Sequence, residues 1–317
     1  MATPPKLSIL TSLYRSEKYL NPFLEQLQAQ SLFPDCEVVL VLNEASVAER
    51  EMVEAFAARN PERVQLHFVE EVETLGASWN RAWRAATASL LAIWNVDDRR
   101  TARSLEEQVQ AMQANPDWAL CYGDYVRVRE YGSEDGERRH APPFSRSHFQ
   151  RAFPQGGAFW VLRRDASDRI GYFDEQFRVG PDMDLALRMA AGGLMMGRVE
   201  GLLGYFTDEQ TGLSTRDGAL ASAVERTAIQ MRYGVFDKVR GEFAEEAQRY
   251  RLGEVLSFGV WHAIEDYLPP RYLDMLKRRR PLWLLGWLRN ALRRLLKVLG
   301  VLDWLYRLQK RFMRREL

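Results

Sequence analysis

Cysteine and histidine are scarce in this chain of 317 residues, which holds two of the first and four of the second. Cys36 and Cys121 lie far apart, each in an apolar stretch, so a disulfide framework is excluded and buried free thiols are expected. No Cys/His cluster is present to build a structural zinc site. Also missing is any uninterrupted apolar run near the ~18–20 residues that a spanning helix requires. No Gly-x-x-x-x-Gly-Lys-Ser/Thr loop occurs, which argues against a nucleoside triphosphatase. Met1 to Lys6 runs straight into a strand-like segment without the pattern of a signal peptide, so the body of the protein is expected in the cytoplasm. What remains is ordinary globular material, 46% hydrophobic and 27% charged, sized for one large domain plus an appendage.

The net charge of +1 hides an asymmetry. From Arg271 onward, 14 Lys/Arg face 3 Asp/Glu, a net of +11, which leaves −10 for everything before it. An acidic body with a basic tail implies that the tail meets something negative.

Apolar runs alternate with helical periodicity through the first hundred residues. Leu7 to Leu13 reads as a strand ending in hydroxyl residues, and Tyr19 to Gln30 as a helix with Leu20, Phe23, Leu24 and Leu27 on one face. Glu37 to Leu42 is a second buried strand, closed by Asn43-Glu44-Ala45-Ser46. A helix follows over residues 48–60, with Pro61 as its stop, and Val64 to Val69 alternates as a third strand. Gly76 opens a helix that delivers the chain to Leu90-Leu91-Ala92-Ile93-Trp94, a central strand. The alternation predicts a doubly wound, mostly parallel α/β sheet. A helix over residues 104–114 and a strand over 118–128 come next. Residues 130–148 are polar and punctuated by Gly and Pro, which predicts a long loop. A glycine pair, Gly156-Gly157, then feeds an apolar strand through Trp160 to Leu162, and Pro181 opens a further helix.

The central strand runs directly into Asn95-Val96-Asp97-Asp98. Ligands gather at the carboxyl ends of strands in such sheets. Two adjacent carboxylates there make a hard, oxygen-rich end suited to Mg²⁺ or Mn²⁺, which in turn favours phosphate oxygens. Acidic residues are also common in solvated turns, so this stretch alone decides nothing.

Taken in order, these pieces resemble a family 2 glycosyltransferase of the GT-A fold, over roughly residues 6–235. Ser8 to Ser12 resembles the family's first strand, which implies that Thr11 and Ser12 approach the nucleotide. Asn43-Glu44-Ala45-Ser46 sits where the family usually has Asp-Asp-Gly-Ser, which would place Asn43 and Glu44 at the base. Gly76 to Ala82 resembles the family's Gly-x-x-x-Asn segment, which brings Gly76 and Asn80 beside the nucleotide. Asn95-Val96-Asp97-Asp98 resembles the metal-binding Asp-x-Asp region. Ile170 to Glu175 looks like Gly-Gly-Phe-Asp-Glu, near the acceptor. Pro181-Asp182-Met183-Asp184-Leu185 resembles Glu-Asp-x-Asp-Leu, whose first Asp is the family's catalytic base. Two departures each remove a charge while keeping hydrogen bonding: Asn43 for the base-contacting acid and Asn95 for the first acid of the metal motif.

The resemblance implies an inverting transfer from a nucleotide-diphospho-sugar, a UDP-sugar in the first instance, to a hydroxyl of a glycan or lipid-linked acceptor in surface polysaccharide synthesis. Asp98 is then the expected ligand to Mn²⁺ or Mg²⁺, with Asp97 as second ligand or donor contact beside Asn95. Asp182 is the expected base. Gly157, Trp160 and Asp184 are the expected acceptor residues. Aromatic residues such as Trp160, Tyr172 and Phe173 are commonly core, and Asp in a first helical turn is ordinary capping chemistry.

The basic tail reads as an amphipathic helix, with Leu284, Leu288, Ala291, Leu295, Val298, Leu302 and Leu305 at three- and four-residue spacing. Trp283, Trp287 and Trp304 with basic neighbours suit a helix lying on an anionic bilayer, which would put the protein at the inner face of the membrane. The competing partner for that face is the catalytic domain or another copy of the chain. No nucleic acid partner is expected. The reading thus divides into a catalytic domain over 1–235, a helical connector over 236–280 and the amphipathic tail over 281–317. Two rival functions remain: a sugar nucleotidyltransferase, for which Thr11 to Arg15 lacks a phosphate-cradling loop, and a catalytically silent scaffold, which the two Asn replacements would suit.

Overall fold

A computed structural model describes residues 4–145, 159–209, 225–226, 228–229, 232, 254–258, 260–267, 288, 291–292 and 295–296. The first four strands are β1 (Leu7–Leu13), β2 (Cys36–Asn43), β3 (Val64–Val69) and β4 (Leu90–Ile93). They pair in parallel in the order β3-β2-β1-β4. All eight residues of β2 are buried, as expected of a strand covered on both faces. Helices α1 (Glu17–Ala29), α2 (Val47–Arg59) and α3 (Leu75–Ala85) are the crossovers. The apolar face of α1, with Leu20, Phe23, Leu24 and Leu27, shares one core with Val53 and Phe56 of α2. Trp79, Ala82 and Trp83 of α3 fill a second core on the opposite face of the sheet.

The second half of the sheet is mixed. β5 (Arg99–Arg100), β6 (Trp118–Val128), β7 (Gly136–Arg139), β8 (Val161–Arg163) and β9 (Met195–Thr207) extend it to nine strands. β8 runs antiparallel between β4 and β6, β9 lies parallel to β6, and β5 pairs antiparallel with β9. The parallel arrangement read from the sequence therefore holds for the first half and for β6 with β9. Helix α4 (Ser104–Ala114) covers the α1 side, while α5 (Ala166–Ile170) and α6 (Pro181–Ala191) belong to the α3 side.

Three expectations need correction. The predicted loop over 130–148 contains β7, which pairs antiparallel with β6. The strand expected from Gln155 begins at Val161, and Gly157 lies outside the described residues. The connector is not wholly helical: β10 (Glu254–Ser257) and β11 (Val260–Ala263) form a hairpin, and its Val255 joins the core beside α3 and α6. β-Branched residues there favour a half-buried strand over a helix. Most of the tail lies outside the described residues. Leu288, Leu292 and Leu295 within it are 49%, 55% and 55% exposed. Among the described residues no helix is long and apolar enough to cross a membrane. Cys36 and Cys121 are free and buried, and burial pushes both thiols up to about 12.

Candidate active site

The loops after β1 and β2 are tied together at the carboxyl edge of the sheet. Ser46 caps α2 in a reciprocal capping box with Glu49. Glu49 also accepts the Ser16 amide at 2.5 Å and the Ser16 hydroxyl at 2.7 Å. Beside them, Asn43 is a buried hub. Its amide nitrogen donates to Ser78 Oγ at 2.9 Å and lies 3.4 Å from Ser12 Oγ, and its oxygen accepts the Glu73 amide at 3.1 Å. Asn can donate and accept at once where Asp could only accept, so the charge lost at this position is exchanged for a bridge to α3. Glu44 is exposed and sits at φ 44°, in the left-handed region that a β-carbon disfavours. Thr11, expected near a nucleotide, is fully buried, and its parity with Ile9 and Leu13 places it on the α1 side of the sheet. It has no surface to offer a base.

At the end of β4, Asp98 is buried while Asp97 and Asn95 remain partly exposed. Asp98 Oδ1 accepts the Thr207 amide at 3.0 Å, Oδ2 lies 3.3 Å from Asn95 Nδ2, and its carbonyl accepts the Trp94 indole N–H at 2.9 Å. Burial holds the Asp98 carboxyl well above the usual range, and the neighbouring Asp97 charge pushes it further. Burial likewise raises Asp97, with a contribution from the Glu209 charge. Among the described residues no group of three acidic, imidazole or thiol side chains is placed to hold a metal. Two adjacent carboxylates nonetheless fit a cation of the Mg²⁺ or Mn²⁺ type, which binds through one or two protein carboxylates and completes its shell with phosphate oxygens and water.

Sequence reasoning missed the groups around this edge. Arg100 is buried, donates to Gln108 Oε1 at 2.7 Å and to the Ile93 carbonyl at 3.1 Å, and burial brings it down to about 9. Glu209, just past β9, accepts from Lys18 Nζ at 2.5 Å, Tyr19 Oη at 2.7 Å and the Tyr131 amide at 3.0 Å. The Lys18 hydrogen bond leads in holding it at about 2. These partners are more than seventy positions apart in the chain, and no local pattern announces them.

The opposite wall is built from α3, the 173–175 segment and α6. Asn80 is buried and donates to the Phe173 carbonyl at 2.9 Å and Glu175 Oε1 at 2.8 Å, while its oxygen accepts the Phe173 amide at 2.9 Å. It thus fixes this segment. Gly76 packs on the same stretch, its missing Cβ 3.4 Å from the Asp174 carbonyl oxygen. Asp182, in the first turn of α6, is partly exposed and accepts the Met183 amide at 2.8 Å. Burial raises its carboxyl to about 6 against the opposing pull of that amide and of the Arg226 charge.

Two expected acceptor residues are corrected here. Asp184 is fully buried, pairing with Arg188 at 2.6 Å and Arg232 at 3.0 Å. Trp160 is buried in the core on the α3 side and offers no open ring face.

The description "Glycosyltransferase like family 2" matches residues 4–228. The O-antigen biosynthesis protein RfbC of Myxococcus xanthus is 22% identical over 225 residues, 70% of this chain but 17% of that protein. The present chain therefore spans under a fifth of that relative's length. S. aureus TarS 1-349 in complex with UDP-GlcNAc superposes with a TM-score of 0.58 at 19% identity, over 78% of this chain and 70% of that one. The mannosyltransferase PcManGT from Pyrobaculum calidifontis, in complex with GDP-Man and Mn²⁺, superposes with a TM-score of 0.51 at 17% identity, over 90% and 71%. These likenesses show the GT-A fold. With the family match covering most of its length, the chain belongs to the glycosyltransferase-like family 2.

Proposed function

We propose that the chain transfers a sugar from a nucleotide-diphosphate donor to an acceptor hydroxyl with inversion. The observation that carries this reading is Asp182. It stands at the start of α6 with its carboxyl partly open and raised to about 6. Such a group is still ionised at neutral pH, yet is a stronger base than an ordinary carboxylate. Asp182 takes the acceptor proton as the hydroxyl oxygen bonds to the sugar C1. The C1–oxygen bond to the diphosphate breaks on the opposite face, and the nucleoside diphosphate leaves. Asp98 and Asp97 would hold a Mn²⁺ or Mg²⁺ ion, whose charge would offset that growing on the leaving diphosphate. Asn95 orients Asp98, and Asn43 with Ser12 lines the nucleotide side. Asn80 and Gly76 act at one remove, by fixing residues 173–175.

A UDP-sugar is the favoured donor, since TarS is described with UDP-GlcNAc. The name of the M. xanthus relative supports a glycan or lipid-linked acceptor in surface polysaccharide synthesis. The exposed Leu288, Leu292 and Leu295, at helical spacing in a segment of net +11, support a tail lying on the inner membrane face. Calorimetric titration with UDP-, GDP- and dTDP-sugars, with and without Mn²⁺, tests the central claim. Metal-dependent binding of one nucleotide class is expected, weakened at least ~100-fold in Asp98→Ala. Asp182→Asn keeps binding and loses turnover by ~10³-fold or more. Absence of nucleotide binding at every Mn²⁺ concentration sinks this reading and leaves the silent scaffold.

A further inference from the structure

Helix α6 starts without a side-chain cap, because its N-cap residue is Gly180 and Pro181 follows. The amides of the turn that leads into it are taken by a residue 45 positions beyond the N-cap. The Glu225 carboxylate accepts three consecutive backbone N–H groups, from Arg178 at 2.9 Å, Val179 at 2.8 Å and Gly180 at 3.1 Å. Glu225 is itself buried. A carboxylate at this place satisfies donors that the helix cannot, and complements the positive end of its dipole.

Glu225 is one point of a three-point grip. Ile229 is fully buried, and a Cβ at Gly180 would stand 2.9 Å from its Cδ1. Arg232 Nη1 reaches Asp174 Oδ2 at 2.6 Å and Asp184 Oδ1 at 3.0 Å. Positions 225, 229 and 232 recur at four and three residues, so one helical face carries all three. The charged group acting on Asp182 from this segment is Arg226. A Cβ at 180 would therefore press on the Cδ1 end of Ile229, which would have to shift to make room.

We propose that Glu225 is a positioning residue for Asp182, setting the base by clamping the amides of residues 178–180 two residues ahead of it. The inference rests on Asp182 being the base. Loss of the clamp lets the loop drift and water reach Asp182. The placement of the base then suffers while donor binding, at the other edge, does not.

The test uses the full chain with Glu225→Gln, Gly180→Ala and the double variant Gly180→Ala/Ile229→Val. Glu225→Gln is expected to lower kcat ~10–100-fold, the scale of a misplacement near 1 Å, and to leave the donor KM within about twofold. The acid limb of the kcat–pH profile moves to lower pH, which a purely structural loss of active protein would not produce. Gly180→Ala, whose Cβ crowds the Ile229 Cδ1, gives a smaller loss of the same kind, and Ile229→Val, which removes that Cδ1, restores it. This pair keeps the inference testable if Glu225→Gln does not fold. Amide exchange at 178–180 that accelerates in Glu225→Gln with kcat and acid limb unchanged overturns the positioning role. Asp182→Asn separates the two readings. If it keeps turnover, the base assignment falls and the role of Glu225 with it. If it loses turnover while Glu225→Gln is normal, only the positioning role falls.

Discussion

Asp98 and Asp182 are both acidic groups raised by burial, but they are held by opposite means. Asp98 follows strand β4, which pairs parallel with β1 and antiparallel with β8, and it leans on Trp94, Asn95 and Asp97 within four positions and on the Thr207 amide of β9. Asp182 stands on a short helix steadied from far along the chain, by Glu225 through backbone amides and by Arg232 through buried carboxylates. The first arrangement is mostly local and anchored in the sheet. The second depends on a distant segment, so it can be altered without touching the nucleotide edge.

The largest expected effect comes from cutting that segment loose. Arg232→Leu removes the 2.6 Å partner of Asp174 and the 3.0 Å partner of Asp184, while the Asp184–Arg188 pair stays. Breaking a buried ion pair on one side costs about 3–5 kcal/mol, so chemical denaturation should show a loss of that size. If the loss stays under about 1 kcal/mol, the grip on α6 is weaker than its geometry implies.

Asn80→Ala probes the joint between the two regions. It removes three hydrogen bonds to residues 173–175 and leaves buried backbone groups unpaired. A loss of about 2–3 kcal/mol is expected, with metal-dependent nucleotide binding reduced by less than about tenfold. A greater fall in binding would mean that Asn80 serves the donor directly.

The smallest effect separates charge from position. The folded carboxyl of Asp182 lies near 6, above its ordinary 3.8. Its contribution to stability is thus fully present below pH ~4 and lost as pH rises through ~6. The shift from 3.8 to about 6 corresponds to about 3 kcal/mol, which solvent screening of this partly exposed group reduces, so Asp182→Asn should be more stable than the parent at pH 8 by about 1–2 kcal/mol, with the difference vanishing near pH 4. Parallel denaturation curves at both pH values check the sign.

The same contrast explains what the sequence made legible. The first four strands, their crossover helices and the Asn95–Asp98 edge follow from apolar periodicity and from what ends each run. The start of α6 is legible in Gly180-Pro181, a helix-start signal, while the base role proposed for Asp182 comes from the family resemblance. Asp184 carried a spacing clue that was read otherwise: Arg188 is four residues on, and the pair is buried. Thr207, Glu209, Glu225 and Arg232 announce nothing locally, because a carboxylate that accepts an amide from another segment looks like any surface acid in the sequence. The β10–β11 hairpin escaped for a related reason. Its strands are four residues each and are secured by what they pack on.

That hairpin changes where the working unit ends. The family match stops at residue 228, yet the Leu256 carbonyl accepts the Glu175 amide at 3.0 Å, and Ser257 Oγ receives Arg84 at 3.1 Å. Arg84 also lies over the Phe258 ring at 4.2 Å. The hairpin is thus fastened both to the 173–175 segment and to α3. A fragment cut at the family boundary would lose that linkage and expose the buried faces of Phe173 and Phe177 that Val255 and Ile264 share in one core.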